Sequence, residues 1–450
     1  MEQERSKLLG TEEIGKLLWQ FSLPAMAGMI INALYNVVDS IFVGNGVGEI
    51  GLTAVTIAFP IMIIFMAFGM LVGVGATSLV SIKLGEGKPT EAEAIMGNAL
   101  SMALLLAVIL TPLTLFWLDP LLIFAGAGPD VLPYAREFSR IIVSGTIFMF
   151  LSFGLNNLIR AEGHPKIAMM TMVISASLNM ILNPLFIFQF HWGIAGSAAA
   201  TVCSQFVASL WVLAYFFGGK STLKFRWHNL ILRKSILSGI FSIGLSPFLM
   251  QIGASAITLF SNAALLAHGG DLAVAAMGVI NRIVLLILMP VFGIQQGVQP
   301  IIGFNYGAKQ YDRVTEALHK AVFAATALCI GGFLIVQIFD REIIRLFNDN
   351  EELIAIGSWG IRLSLSMLPV VGFQIVGANY FQAVGRAKYA ILFSLSRQVI
   401  ILIPLLFILP SFWGLTGVWL ASPTADFASS LLTGFFLWRE LKKLRQLHQA

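Results

Sequence analysis

Twelve apolar stretches follow one another along this chain: 15–43, 52–82, 94–118, 134–158, 166–188, 193–218, 235–263, 272–303, 317–338, 353–380, 388–410 and 414–438. A helix rises about 1.5 Å per residue, so each stretch can cross a hydrocarbon layer ~30 Å thick. Backbone amides in lipid have only one another as partners, which leaves helices and closed barrels. A barrel would need alternating segments of about ten residues, and none is present. The chain is therefore expected to be an all-α polytopic membrane protein with twelve transmembrane helices. Its 11 % of charged residues agrees, since soluble domains average about 25 %.

Lysine and arginine set the expected orientation. Arg5, Lys7, Lys16, Lys83, Lys88, Arg160, Lys166, Lys220, Lys224, Arg226, Arg233, Lys234, Lys309, Arg313, Lys320, Arg386, Lys388, Arg439, Lys442, Lys443 and Arg445 fall on one set of connections. Arg136, Arg140, Arg341 and Arg345 fall on the other. The positive-inside rule then puts both termini in the cytoplasm of an inner-membrane protein. The net charge of +5 follows from this bias and calls for no nucleic-acid partner. No short apolar core with a small-residue cleavage site precedes the first stretch, so no removable leader is expected. Cys203 and Cys329 lie in apolar stretches and read as two buried structural thiols.

The two halves of the chain resemble each other. RAEGHPKIA (160–168) answers QAVGRAKYA (382–390), and Gly75 and Gly85 return as Gly297 and Gly307, all at a shift of 222. WGIAGSAAATVCSQFVASL (192–210) answers WGLTGVWLASPTADFASSL (413–431) at 221. A tandem duplication of six helices keeps the orientation of the copies, which predicts two lobes related by a pseudo-two-fold axis along the membrane normal. The expected organisation is a lobe over 1–219, a cytoplasmic linker over 220–234 and a second lobe over 235–450. Pro24 and Pro247 sit at near-equivalent places in the first and seventh stretches, where each removes a backbone hydrogen bond and can kink its helix. Gly69/Gly73 and Gly293/Gly297 are small-xxx-small patterns suited to close helix packing.

No GxxxxGK[ST], HExxH or GxSxG occurs, and the six histidines lie singly. A phosphate-cradling ATPase and a membrane-embedded enzyme are both disfavoured, and no cofactor is implied. The sharpest feature is Asp39 in the outer half of the first stretch. A charge at mid-helix costs about 2.5–3.5 kcal/mol on insertion scales and tends to mark an ion or substrate path; the bland alternative is a helix-end acid meeting headgroup water. Asn179 and Asn183 share one helix face near the outer end of the fifth stretch. Thr201 lies about 12 Å into the sixth. Asp39, Asn179, Asn183 and Thr201 can meet, with Tyr35 and Asn36 a turn away. Such hard oxygen ligands suit an alkali ion, and a carboxyl in an apolar pocket suits proton carriage. The asparagines could equally be interhelical glue, worth about 0.6 kcal/mol.

In the second half, Arg397 and Asp426 reach similar depth and are predicted to pair, while Arg282 and Arg362 are further candidate intramembrane charges. Asn36, Asn156, Asn157, Gln205, Gln251, Asn262, Gln296, Gln374 and Asp426 form the candidate substrate cavity, each open to the plainer role of helix–helix hydrogen bonding.

LPAMAGMIINALYNVVDSIFVG (23–44), GATSLVSIKLGEGK (75–88), LIRAEGHPKIAMM (158–170), SLNMILNPLFIF (177–188), GIQQGVQPIIGFNYGAK (293–309) and NYFQAVGRAKYA (379–390) together resemble the multidrug and toxic compound extrusion (MATE) transporters over essentially the whole chain. The resemblance implies a V-shaped pair of six-helix lobes and export of small organic cations against inward H+ or Na+, by a monomer in the lipid bilayer. It further implies cation coupling at Asp39, Asn179 and Thr201, with Tyr35 beside them and Pro24 as a hinge in the first helix. Where that branch often carries a second acid, this chain has Asn183. A one-carboxylate site at Asp39, Asn179, Asn183 and Thr201 should hold Na+ less well, which favours H+. A lipid-linked precursor flippase of related fold would need a more basic cavity, and a passive channel would not pump dye against a gradient.

Overall fold

The computed structural model describes residues 8–219, 221–347 and 349–449; Arg5, Lys7 and Lys220, used above for orientation, lie outside them. Among the described residues every regular element is helical. The spans are α1 (Ile14–Val47), α2 (Glu49–Gly85), α3 (Pro89–Phe116), α4 (Leu132–Ser144 with Thr146–Ala161), α5 (Pro165–Gln189) and α6 (Gly193–Phe217). The helical stretch Lys234–Gly307 divides at Gly270, φ +66°, into α7 (234–269) and α8 (271–307). Then come α9 (Tyr311–Ile338) and α10 (Glu351–Ser364 with Leu368–Ala383). Ala387–Gln446 divides at Gly414, φ +54°, into α11 (387–413) and α12 (415–446). Twelve spans result among the described residues, as the apolar stretches predict. The bends within α4, 52°, and α10, 49°, are not legible in hydropathy. Gly145 breaks the first, and Pro369, at the start of the second piece of α10, restarts the other.

The backbone repeats the duplication. Left-handed φ angles fall at Gly48 and Gly270, Gly87 and Lys309, and Gly163 and Gly385, each 222 apart, and at Gly193 and Gly414, 221 apart. Turns that need φ above zero suit glycine, and Lys309 alone among these holds the turn with a side chain. The bends in α4 and α10 fall at matching places in the two copies.

Contacts divide the helices into two compact units, one built on Ala27–Phe248, the other on Leu249–Ala450 with Glu13–Met26. The sequence pattern instead places the division at 219 and 235. Each copy lends the first part of its leading helix, 13–26 of α1 or 234–248 of α7, to the other unit. Both exchanges end within two residues of a proline, Pro24 and Pro247. Glycines make room for the lent segments. A Cβ on Gly75 would lie 2.2 Å from the Ile240 carbonyl oxygen, and one on Gly244 only 1.8 Å from that of Leu71. In the second unit, a Cβ on Gly293 would lie 2.7 Å from the Met26 nitrogen, and one on Gly297 2.8 Å from that of Ser22. GIQQG is thus a close-packing surface, the use that small-xxx-small spacing predicts.

The connection after α6 is held to the first unit by buried polar side chains. Asn98 Nδ2 donates to the Asn229 carbonyl at 3.0 Å and its Oδ1 accepts from the Arg233 amide at 2.7 Å. Ser101 Oγ donates to the Leu230 carbonyl at 2.7 Å. Glu93 accepts from the Lys224 amide at 3.1 Å and from Arg226 Nε at 2.9 Å. Glu162, just past α4, is fully buried and accepts from Tyr215 Oη and Ser221 Oγ, both at 2.7 Å, and from the Thr222 amide at 3.1 Å. The His164 ring stands edge-on to Tyr215. Residues 221–233 therefore form a strap rather than a free linker.

Burial raises the Glu162 carboxyl to about 7, against the bonds from Ser221, Tyr215 and Thr222, which lower it. A folded value above the unfolded one means that the contribution of Glu162 is complete below about pH 4.5 and is lost as pH rises through about 7. The amplitude is about 3 kcal/mol. Hydrogen-exchange protection of the 221–233 amides is expected to fall between about pH 4.5 and 7 and to level off above, after correction for intrinsic rates. Glu162→Gln should remove that slope; an unchanged slope would show that another group governs the strap.

Candidate functional site

Three helices of the first unit each present two polar residues one turn apart: Tyr35 and Asp39 on α1, Asn179 and Asn183 on α5, Ser197 and Thr201 on α6. Spacing of four places each pair on one face. Pro184 has no N–H to continue the α5 ladder, and the next turn, Leu185–Gln189, winds as a π-helix. Small residues bring the neighbours onto that turn. A Cβ on Gly196 of α6 would lie 2.9 Å from the Phe186 carbonyl carbon, and one on Gly46 of α1 2.2 Å from Ile187 Cγ2. The close approach of α1 and α6 to the π turn is what lets short side chains meet beside it.

Asp39 is half-buried, whereas Asn179, Asn183, Ser197 and Thr201 are buried. Asn183 Nδ2 donates to Asp39 Oδ1, and Ser197 Oγ donates to the same oxygen at 3.2 Å. Asn183 Nδ2 also lies 3.5 Å from Asn179 Oδ1, and Asn179 Nδ2 donates to Thr201 Oγ1 at 3.1 Å. Tyr35 borders Asp39 and Thr201. Among the described residues no Lys or Arg is paired with Asp39, and the buried Asn183 Oδ1 accepts no hydrogen bond. The protein partners of the carboxyl are thus neutral amide and hydroxyl groups. Such groups can serve a carboxylate as donors and a carboxylic acid as acceptors.

Ser197 is absent from the candidates drawn from sequence, although it stands one turn before Thr201 on the same helix face. Asn36 donates back to the Asn32 carbonyl at 2.7 Å and is exposed. Carried to the second unit by the 222 and 221 shifts, Asp39, Asn179, Asn183, Ser197 and Thr201 become Ser261, Ile401, Leu405, Val418 and Ser422. The acid and both amides have no counterpart there.

The other candidates are dispersed. Asn156 donates to the Ala168 carbonyl at 3.1 Å, and Asn157 accepts from Arg160 Nη1 at 3.0 Å. Arg160 is buried at the end of α4, not exposed on a connection. Gln205, Gln251 and Gln296 are partly buried, Asn262 is exposed and Gln374 is buried. Asn379 exchanges hydrogen bonds with Gln295, at 3.2 Å to its carbonyl and 3.4 Å from its Nε2. The expected pair forms, with Arg397 Nε 2.6 Å from Asp426 Oδ1. Arg282 and Arg362 are exposed, and Arg362 stands 3.9 Å from Asp340, so neither is an interior charge. Cys329 is buried but Cys203 is exposed. It shares an apolar outer face of α6 with Phe206, Val207 and Leu210, a face suited to lipid.

Known proteins resemble the chain from end to end. The multidrug export protein MepA of Staphylococcus haemolyticus is 27 % identical over 438 residues, 97 % of this chain and 96 % of MepA. The MATE multidrug transporter DinF-BH is 42 % identical, with a TM-score of 0.89 over 96 % of both chains. A MOP superfamily transporter from Pyrococcus furiosus, 24 % identical, shares the fold with a TM-score of 0.92 over 98 % of both chains. The MatE family pattern matches residues 24–185 and 236–408, and the chain belongs to that family of membrane transporters.

Proposed function

We propose that the chain exports small organic cations across the inner membrane in exchange for protons, with Asp39 as the group that carries the proton. The observation that supports this most is the setting of Asp39: a carboxyl in an apolar span, with no paired cation among the described residues, whose contacts are amide and hydroxyl donors. The related MepA and DinF-BH proteins, a multidrug export protein and a multidrug transporter, support the substrate class. Ionised Asp39 attracts an organic cation. A proton arriving from outside neutralises the carboxyl, removes that attraction and releases the cation. Exchange of one monovalent cation for one proton by alternating access moves no net charge, so each pH unit supplies about 1.4 kcal/mol. The distribution of Lys and Arg supports cytoplasmic termini, and Pro24 at the end of the lent α1 segment supports a hinge there.

Asp39 is the one carboxylate among these side chains, with the neutral Asn183 beside it; a single negative charge holds Na+ less well than two would, and this favours H+. Proteoliposomes loaded with a cationic rhodamine ester dye distinguish the two. An imposed ΔpH should drive dye against its gradient without Na+, and a proton-exchanging ionophore should stop it. Transport driven by a Na+ gradient at equal pH would replace proton with sodium, and dye that only equilibrates would indicate a passive channel.

A further inference from the structure

We infer that the Ser197 hydroxyl is the partner that lets Asp39 give up its proton, and so positions the pH range in which proton and organic cation exchange; this rests on the antiport reading above. Two donors meet Asp39 Oδ1, and they differ in freedom. The Asn183 amide also faces Asn179 Oδ1, and Asn179 in turn donates to Thr201. Turning the Asn183 amide would set two carbonyl oxygens against each other unless Asn179 turned as well. Ser197 is fully buried, 3.2 Å from Asp39 Oδ1, and its hydroxyl rotates about one bond. It can donate to the carboxylate and, turned, accept from the acid.

Tyr35 on α1 is the titratable group beside Asp39, while α5 and α6 face the carboxyl with amides and hydroxyls. No charged side chain on those faces offers the carboxylate what Ser197 offers it. Losing a donor to a charged acceptor moves its proton release by about one to two pH units. The acid form recovers part of this through the turned hydroxyl. Removing Ser197 Oγ should therefore move proton release upward by about one pH unit.

The test is binding of the same rhodamine ester dye to the purified full-length chain in detergent micelles, followed by fluorescence anisotropy between about pH 5.5 and 9. The wild type should bind more tightly as pH rises, then level off. Ser197→Ala should move the midpoint up by about one unit and keep the high-pH plateau. Ser197→Thr restores the hydroxyl and should return the midpoint; Ser197→Cys, a weaker donor, should lie between. Weakening by one common factor at every pH, or an unmoved midpoint, would overturn the role of Ser197. Asp39→Asn separates the two claims. A flat profile in that variant with an unmoved Ser197→Ala midpoint sinks the serine alone, whereas a wild-type profile in Asp39→Asn sinks the antiport reading beneath it.

Discussion

Asp39→Asn is expected to abolish uphill export while leaving the protein folded in the membrane. One-for-one exchange across two pH units sustains a dye ratio of about a hundredfold; in the variant that ratio should fall to about one. Asparagine has nearly the same shape, and its amide can still bond Asn183 and Ser197, so packing around the π turn of α5 has no reason to change. What it loses is the ability to be charged in one step and neutral in the next. Removing a half-buried carboxylate from an apolar span also relieves a desolvation cost, so the melting temperature should hold or rise. Quantitative dye accumulation in proteoliposomes, with the melting curve of the same preparation beside it, checks both parts. Full accumulation by the variant would remove Asp39 from the coupling mechanism, and a collapsed melting curve would reveal a structural acid instead.

The spans were legible because lipid leaves the backbone only helices or closed barrels and the chain lacks the alternation of a barrel, and the duplication was legible because glycines recur where the turns need positive φ. Asp39, Asn179, Asn183 and Thr201 could be gathered from depth and helical period. Ser197 escaped because serine is common in membrane helices and carries no charge to draw attention. The repeat carries a further signal: five positions of the site map onto Ser261, Ile401, Leu405, Val418 and Ser422, so function shows where the copies disagree. The exchange of leading segments could not be read from hydropathy. It depends on which glycine meets which backbone, as Gly244 meets Leu71 and Gly297 meets Ser22. The strap was hidden for a related reason: a basic connection looks solvated until Glu162, Glu93 and Asn98 are seen to bind its backbone.

The Arg397–Asp426 pair should behave as a structural element whose two halves are worth more together than either is alone. Arg397 sits in the π-helical turn Ser396–Leu402 of α11, and Asp426 on α12 is buried. Their 2.6 Å contact ties the two helices, with the Asp426 carboxyl buried and the Arg397 side chain only partly so. Arg397→Met leaves a buried carboxylate unpaired and is expected to cost about 3–5 kcal/mol, whereas the joint change Arg397→Met with Asp426→Leu removes both charges and should be near neutral. Melting of the single and double variants in one detergent gives the coupling directly. The dye assay then separates structure from transport, because a stable double variant that still pumps dye to the wild-type limit shows that the pair only fastens α11 to α12. A stable double variant that no longer pumps would make Asp426 a second functional acid, and proton coupling would then have to be shared between the two units.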